Sequence, residues 1–114
     1  ILETNGILLG KDRAFAKQLS RFTNLHVRVS LKGSSPHEFS RLTGADPRFY
    51  RLQLNALRNL KMYGVQFHPS VMTFQDDEYL RKELVKMGIL DRLERESLIE
   101  YPAVMKRLRE RGLL

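Results

Sequence analysis

Strand-like and helix-like segments alternate along this 114-residue chain, and their order constrains the fold more than any other feature of the sequence. Residues 1–6 are typical of a strand that runs into a turn, and residues 25–32 and 65–72 are typical of complete strands. A weaker strand pattern lies within 93–101. Strands that recur at intervals of roughly 25 to 35 residues, with helix patterns between them, predict a parallel sheet with right-handed crossover helices.

The helix patterns are recognised from the spacing of their apolar residues and from signals at their ends. In the first, Phe15, Leu19 and Phe22 recur at spacings of four and three, which predicts the buried face of an amphipathic helix. In the second, Glu38 completes a capping box with Ser35. The predicted helices cover 11–22, 36–43, 47–63, 77–87 and 102–112.

The two complete strands each have an apolar face and a polar face, because side chains alternate with period two along a strand. Pro69 removes a backbone donor, so it favours an edge, a bulge or the upper end of its strand. The apolar faces carry Leu25, Val27, Val29, Leu31, Val65 and Phe67, and the polar faces carry His26, Arg28, Ser30, Lys32, Gln66 and His68.

The polar faces argue against a doubly wound sheet, in which helices would cover both sides and both would be apolar. We therefore expect an α/β fold of about four βα units that form part of an open (β/α) barrel, a TIM-like half-barrel with parallel strands. The polar side would be concave and would hold a ligand. The alternative is a one-layer sheet whose polar face is exposed to solvent. The chain is long enough for one domain, 1–114.

Candidate site residues lie where the predicted parallel strands end, which is where such sheets gather functional side chains. Glu3, Lys32 and His68 would supply an acceptor, a fixed cation and a titratable group around one cavity. That set suits a zwitterionic or phosphorylated small ligand. The alternative is that Glu3 and Lys32 are solvated loop ends.

Composition excludes several kinds of site. The chain has no cysteine, so disulfides, thiolate nucleophiles and protein-ligated iron–sulfur clusters are absent from it. His26, His37 and His68 are far apart in unlike contexts, so no metal site is expected, and no residue is predicted to be catalytic. No apolar run approaches the roughly 20 residues that span a bilayer. We expect a cytoplasmic protein with no membrane partner.

The net charge of +7 leaves two other functions open. A basic α/β module could bind nucleic acid, although Phe15, Phe22 and Tyr50 are predicted to be core residues and not stacking platforms. A purely structural or dimerising fragment would pair through exposed sheet edges, giving a homodimer. The basic residues of the nucleic-acid interpretation are Arg28, Lys32, Arg48, Arg51 and Arg58.

The order of short motifs resembles a known family. Glu3-Thr4-Asn5-Gly6 at a strand end, then 27–32 ending in Leu-Lys, then a strand with a basic residue at His68, resembles the second half of a radical S-adenosylmethionine core. The resemblance is to the branch of the pyruvate formate-lyase activating enzyme. The segments 42–45 and 100–102 resemble uncharacterised prokaryotic members of the same superfamily.

The resemblance implies a cofactor pocket. Glu3 and Lys32 would hold the amino and carboxylate groups of S-adenosylmethionine, and Asn5, Ser30 and His68 would line the same cavity. One departure is that Ser30 stands where the activating enzymes carry Asp, so that acid's contact would be lost or replaced by a neutral hydrogen bond.

A larger departure concerns the iron–sulfur cluster. The family's Cys-x3-Cys-x2-Cys loop and Gly-Gly-Glu strand belong to its first half and do not occur in this sequence. We therefore expect the C-terminal fragment of a longer radical S-adenosylmethionine enzyme, partnered by the N-terminal half of the barrel. The [4Fe-4S] cluster would be held only by the full-length parent, and this chain alone would be inactive.

Overall fold

A computed structural model describes residues 1–96, 106 and 109–112. In these residues, strands and helices alternate as predicted. A short 3-10 turn, Leu90–Arg92, precedes the last strand. The elements are β1 (Leu2–Thr4), α1 (Ile7–Lys11), α2 (Arg13–Leu19), β2 (His26–Lys32), α3 (Pro36–Thr43), α4 (Phe49–Met62), β3 (Gln66–Met72), α5 (Glu78–Met87) and β4 (Glu94–Arg95).

Within the described residues, the four strands form one parallel sheet in the order β1-β2-β3-β4, which is also their order in the chain. Right-handed crossovers in that order place every connecting helix on the same side of the sheet. Burial agrees, because Val27, Val29 and Leu31 are fully buried while Arg28 and Ser30 on the other face are only partly buried. The predicted α/β class, the parallel sheet and the polar second face are confirmed.

Helix α4 supplies the centre of the hydrophobic core. Its predicted buried residues, Tyr50, Leu54, Leu57 and Leu60, are all fully buried. The Tyr50 hydroxyl donates to the Gly33 carbonyl oxygen at 3.1 Å. Burial raises the pKa of Tyr50 far above its ordinary value, so the hydroxyl keeps its proton and the bond persists at any physiological pH.

The predicted helix over 11–22 is wrong in its limits, and of its predicted buried face only Leu19 packs against the core. The chain forms two short helices instead, and they meet at Asp12, whose side chain accepts a hydrogen bond from Ala14 N at 2.9 Å. Phe15 and Phe22 are 42% and 65% exposed, whereas Ala16 is fully buried. Ala16 and the partly buried Leu19 therefore make the inward contacts of α2.

Gly10 explains why α1 lies so close to α4. A Cβ atom on Gly10 would lie 1.8 Å from the carbonyl oxygen of Leu52, a separation that no side chain permits. The close approach brings Leu9 into the core, where it is 2% exposed. Periodicity of large apolar residues misses such a contact because the residue that allows it has no side chain.

Pro69 does not mark an edge strand, since β3 pairs with β2 on one side and β4 on the other. Val71 accepts a backbone bond from Glu96 N at 2.9 Å, so the odd-numbered residues of β3 present their backbone groups to β4. The β3–β4 register begins only at Ser70. Pro69 thus lacks a donor at a position where the neighbouring strand has not yet begun.

The loops that follow β2 and β3 are joined by Glu38. Its backbone N–H donates to Ser35 Oγ at 3.2 Å, which confirms Ser35 as the helix cap, whereas the Glu38 side chain accepts from Ser34 N and not from Ser35 N as the predicted capping box requires. The buried Glu38 carboxylate accepts from Ser34 N and Thr73 Oγ1, each at 2.6 Å, and from Phe74 N at 2.8 Å. One side chain therefore closes the helix start and holds two strand-end loops together.

Of the weak strand predicted within 93–101, the described part forms β4, and the remainder lies outside the described residues. The predicted helix over 102–112 also lies largely outside them.

Candidate functional site

Arg28 lies at the centre of a charged cluster on the polar face of the sheet. Its Nη1 donates to Glu3 Oε1 at 2.5 Å. Its Nε and Nη2 donate to the two carboxylate oxygens of Glu94 at 3.2 and 3.0 Å. Nη2 also donates to Glu96 Oε1 at 3.1 Å. A single guanidinium thus connects β1, at one edge of the described sheet, to β4 at the other.

Strand register brings these groups together. Glu3 lies opposite Arg28 in the β1–β2 ladder, and Glu94 lies opposite Ser70 in the β3–β4 ladder. Ser70 is fully buried; its hydroxyl accepts from Arg28 Nη2 at 3.0 Å and donates to Glu96 Oε1 at 2.9 Å. The cluster therefore contains one residue or more from every strand of the described sheet.

Acidic groups outnumber basic groups in the cluster, with three carboxylates around one guanidinium. The hydrogen bond to Glu94, and then the charges of Glu94, Glu96 and Glu3, raise the pKa of Arg28. The bonds from Arg28 and then from His68 lower the pKa of the Glu94 carboxyl. Both shifts favour the charged forms, so Arg28 and Glu94 remain ionised near neutral pH.

Two histidines extend the cluster toward the start of the strands. His26 Nε2 and His68 Nδ1 are 2.7 Å apart, and His68 Nε2 is 2.7 Å from Glu94 Oε1. An ionised carboxylate only accepts, so His68 Nε2 carries the hydrogen of that bond. A neutral His68 then accepts at Nδ1 from His26 Nε2. The hydrogen bonds form a continuous chain from His26 to Arg28.

A pocket of about 170 Å³ lies beside the cluster and includes the carboxyl-terminal ends of β2 and β3. Within the pocket, Ser30 Oγ donates to Glu3 Oε1 at 3.1 Å. The other carboxylate oxygen of Glu3 has no hydrogen-bond partner among the residues that the structure describes, and Lys32 has no ion pair among them. The lining residues are Glu3, Arg28, Ser30, Leu31, Lys32, Met72 and Glu96.

The structure brings three of the five predicted site residues to this pocket, namely Glu3, Ser30 and Lys32. Asn5 does not line it; its Oδ1 accepts from Ile7 N at 3.0 Å and shapes the turn after β1. His68 does not line it either, and is linked to it through Glu94 and Arg28.

Sequence reasoning did not assign Arg28, Glu94 and Glu96, which organise the site, to the ligand pocket. It placed Arg28 on the polar face but favoured Ser30 and Lys32, which lie nearer the strand end, for ligand contact. Glu94 and Glu96 occur in the weakest strand pattern. Their spacing of two puts both carboxylates on one face of a strand, and sequence reasoning interpreted the pair as a polar strand face and not as part of a site.

The basic residues of the nucleic-acid interpretation are mostly engaged in ion pairs. Arg48 contacts Asp46 at 2.7 Å, and the buried side chain of Glu83 lies 3.3 Å from Arg51 and 3.8 Å from Arg58. Much of their charge is therefore compensated inside the chain.

Two further classes of feature were sought in the described part of the chain. No group of three or more potential ligands there is arranged to hold a metal ion. No helix in residues 1–96, 106 and 109–112 has the length and apolar character needed to cross a membrane.

Comparison with known protein families, with characterised proteins and with solved structures finds no match for this chain. Any functional conclusion therefore depends on the fold and on the chemistry of the site.

Proposed function

We propose that this chain contributes about four βα units of an open (β/α) barrel to a radical S-adenosylmethionine enzyme. Its pocket would bind the amino-acid end of S-adenosylmethionine. The observation that carries the proposal is that Glu3 and Lys32, at the ends of two neighbouring strands, line the same pocket with Ser30 between them.

The charges of the pocket suit that ligand. The Glu3 carboxylate can accept hydrogen bonds from an ammonium group, because its second oxygen has no hydrogen-bond donor among the described residues. A carboxylate group has a partner in Lys32, which is exposed at the end of β2. Charge-assisted hydrogen bonds of both kinds are the strong ones. A zwitterion therefore satisfies both groups at once, whereas a simple anion or cation satisfies only one.

The volume of the pocket supports a site that encloses only part of the cofactor. Pockets that enclose a whole ligand usually occupy roughly 300 to 1,000 Å³, and this one is about 170 Å³. It has room for the amino-acid end of the cofactor, and other surfaces would cover the nucleoside. In this proposal, Asn5 supports the turn after Glu3, and His68 supports Arg28 through Glu94.

The ligands of the iron–sulfur cluster would come from outside these 114 residues. Without cysteine, the chain cannot supply thiolates to a [4Fe-4S] cluster. We therefore propose that the cluster-binding cysteines lie in another part of a longer, cytoplasmic parent, in the complementary half of the barrel. The bound cluster would supply the electron that cleaves the cofactor, and this chain would orient the amino-acid end.

Titration calorimetry with S-adenosylmethionine tests the proposal. Lys32→Ala should weaken binding by roughly tenfold or more, because it removes a charge-assisted hydrogen bond. Lys82→Ala is the matched control, since Lys82 is an exposed lysine that pairs only with Glu78 among the described residues. Unchanged affinity in Lys32→Ala, or equal losses in the two variants, would contradict the assignment.

A second candidate function, binding of single-stranded nucleic acid, is favoured by one observation. Phe15 and Phe22 are exposed, close in sequence to Lys17 and Arg21, and so could stack on bases. Filter binding to a single-stranded oligonucleotide at increasing salt tests this alternative. It predicts a steep loss of affinity with salt and a further loss in Phe22→Ser. No binding at low salt excludes it.

A further inference from the structure

We infer that Arg28 is a positioning residue for this pocket: it holds the Glu3 carboxylate in place for the ammonium group of the ligand and does not bind the ligand itself. The inference rests on the proposed function, because it assigns to Arg28 control over affinity at the same site. Neither the strand pattern nor the family resemblance assigns Arg28 this role.

The donors of Arg28 are already engaged by the protein. Nε and Nη2 donate to the two oxygens of Glu94 in a bidentate contact, and Nη2 also donates to Glu96 and to Ser70. Nη1 donates to Glu3. A guanidinium has five N–H groups in one plane, so these contacts fix the plane and leave at most one N–H, on Nη1, without an acceptor. Arg28 therefore has little capacity left for a ligand.

Glu3 needs such a support because its strand offers little. β1 is three residues long, and the Glu3 side chain is 57% exposed. Its contacts in the described structure, from Arg28 and Ser30, both reach Oε1. Because two donors hold Oε1, the direction in which the second carboxylate oxygen of Glu3 points is also set. A carboxylate held in this way binds an ammonium group without first losing side-chain freedom.

The support depends on the shape of the guanidinium and not only on its charge. Arg28 reaches Glu3 and Glu94 at once because its donors diverge in a fixed plane, and a lysine ammonium at the end of a flexible stem cannot hold both in that geometry. Arg28→Lys therefore keeps the positive charge but releases Glu3. This variant separates positioning from simple charge balance.

A double-mutant cycle provides the test, with S-adenosylmethionine as the probe. Arg28→Lys should lower affinity roughly tenfold in the wild-type background, as expected for loss of a preorganised charged contact. In the Glu3→Gln background, the same change should lower affinity by less than about twofold, because the group through which Arg28 acts is already altered. Equal losses in both backgrounds would mean that Arg28 touches the ligand, which overturns the inference.

Two controls make the cycle specific. 5′-Methylthioadenosine lacks the amino-acid end, so its affinity should be the same for Arg28→Lys and wild type; a tenfold loss with this probe would contradict a role through Glu3. Arg48→Lys is the matched protein control, because Arg48 is exposed and pairs only with Asp46 within the described structure. Circular dichroism confirms that each variant is folded.

A measurement without ligand separates this inference from the proposed function. In the wild-type chain, nitrogen NMR should show separate Nη1 and Nη2 signals for Arg28, because its contacts slow rotation of the guanidinium. Glu3→Gln should speed the exchange of Nη1. If wild type binds no S-adenosylmethionine, the proposed function fails, and this measurement still decides the role of Arg28. Averaged signals in wild type, or no effect of Glu3→Gln, would overturn it.

Discussion

Nε2 of His26 and Nδ1 of His68 are joined by a hydrogen bond of 2.7 Å between adjacent strands of the sheet. One nitrogen must donate and the other must accept, so the bond is lost when both rings are fully protonated. The bond to Glu94 already requires a hydrogen on His68 Nε2. The positions of the ring hydrogens are therefore coupled through this bond, and Glu94 connects the two rings to Arg28.

Acidification should destabilise the fold through His26. Burial, and then the positive charges of His68, the amino terminus and Arg92, lower the pKa of His26 below 6.5. Between that lowered pKa and 6.5, the unfolded state binds more protons than the folded state, so stability falls as pH falls through this window. We expect the thermal midpoint to drop between about pH 7.5 and about pH 5.5, and to drop less in His26→Gln. Equal slopes for the two proteins would show that His26 is not responsible.

Loss of the Glu38 carboxylate should be costly. Glu38→Gln replaces one carboxylate oxygen by an NH2 group, which would face either Ser34 N and Thr73 Oγ1 at the Oε1 position or Phe74 N at the Oε2 position. Leaving such buried donors unpaired should lower the free energy of unfolding by about 3 kcal/mol, measured by urea denaturation. The control Glu78→Gln, at an exposed residue paired with Lys82, should change it by less than about 1 kcal/mol. Similar values for both would contradict the buried role of Glu38.

Gly10→Ala should disrupt the contact between α1 and α4. The new methyl group would overlap the Leu52 carbonyl oxygen, and such overpacking typically costs about 1 to 3 kcal/mol. Gly64→Ala is an informative comparison, because Gly64 has open space around it but a φ of +69°, and an L residue in that conformation costs about 1 to 2 kcal/mol. Because rigid backbone lies in the way at Gly10 and not at Gly64, we expect Gly10→Ala to be the less stable of the two variants in chemical denaturation. A neutral effect at Gly10 would contradict the close packing.

Local patterns determined much of the architecture. The period-two alternation in 25–32 assigned each side chain of β2 to its correct face, and the spacing of Tyr50 and Leu54 assigned the buried face of α4. These predictions succeeded because a regular backbone repeats its environment at a fixed interval, which a single sequence displays directly. The order of strands and helices likewise determined the parallel sheet.

Only the tertiary structure decided which polar residues meet. Arg28 is 66 residues from Glu94 in the chain, and their contact exists because one strand, β3, lies between β2 and β4 in a particular register. The buried face of α2 also depended on tertiary packing, which buries Ala16 and leaves Phe15 exposed. Periodicity determines the face on which a side chain lies. Partners across a sheet and the distance between helices depend on the packing of segments remote in sequence, so the charged cluster around Arg28 could be located only in the folded chain.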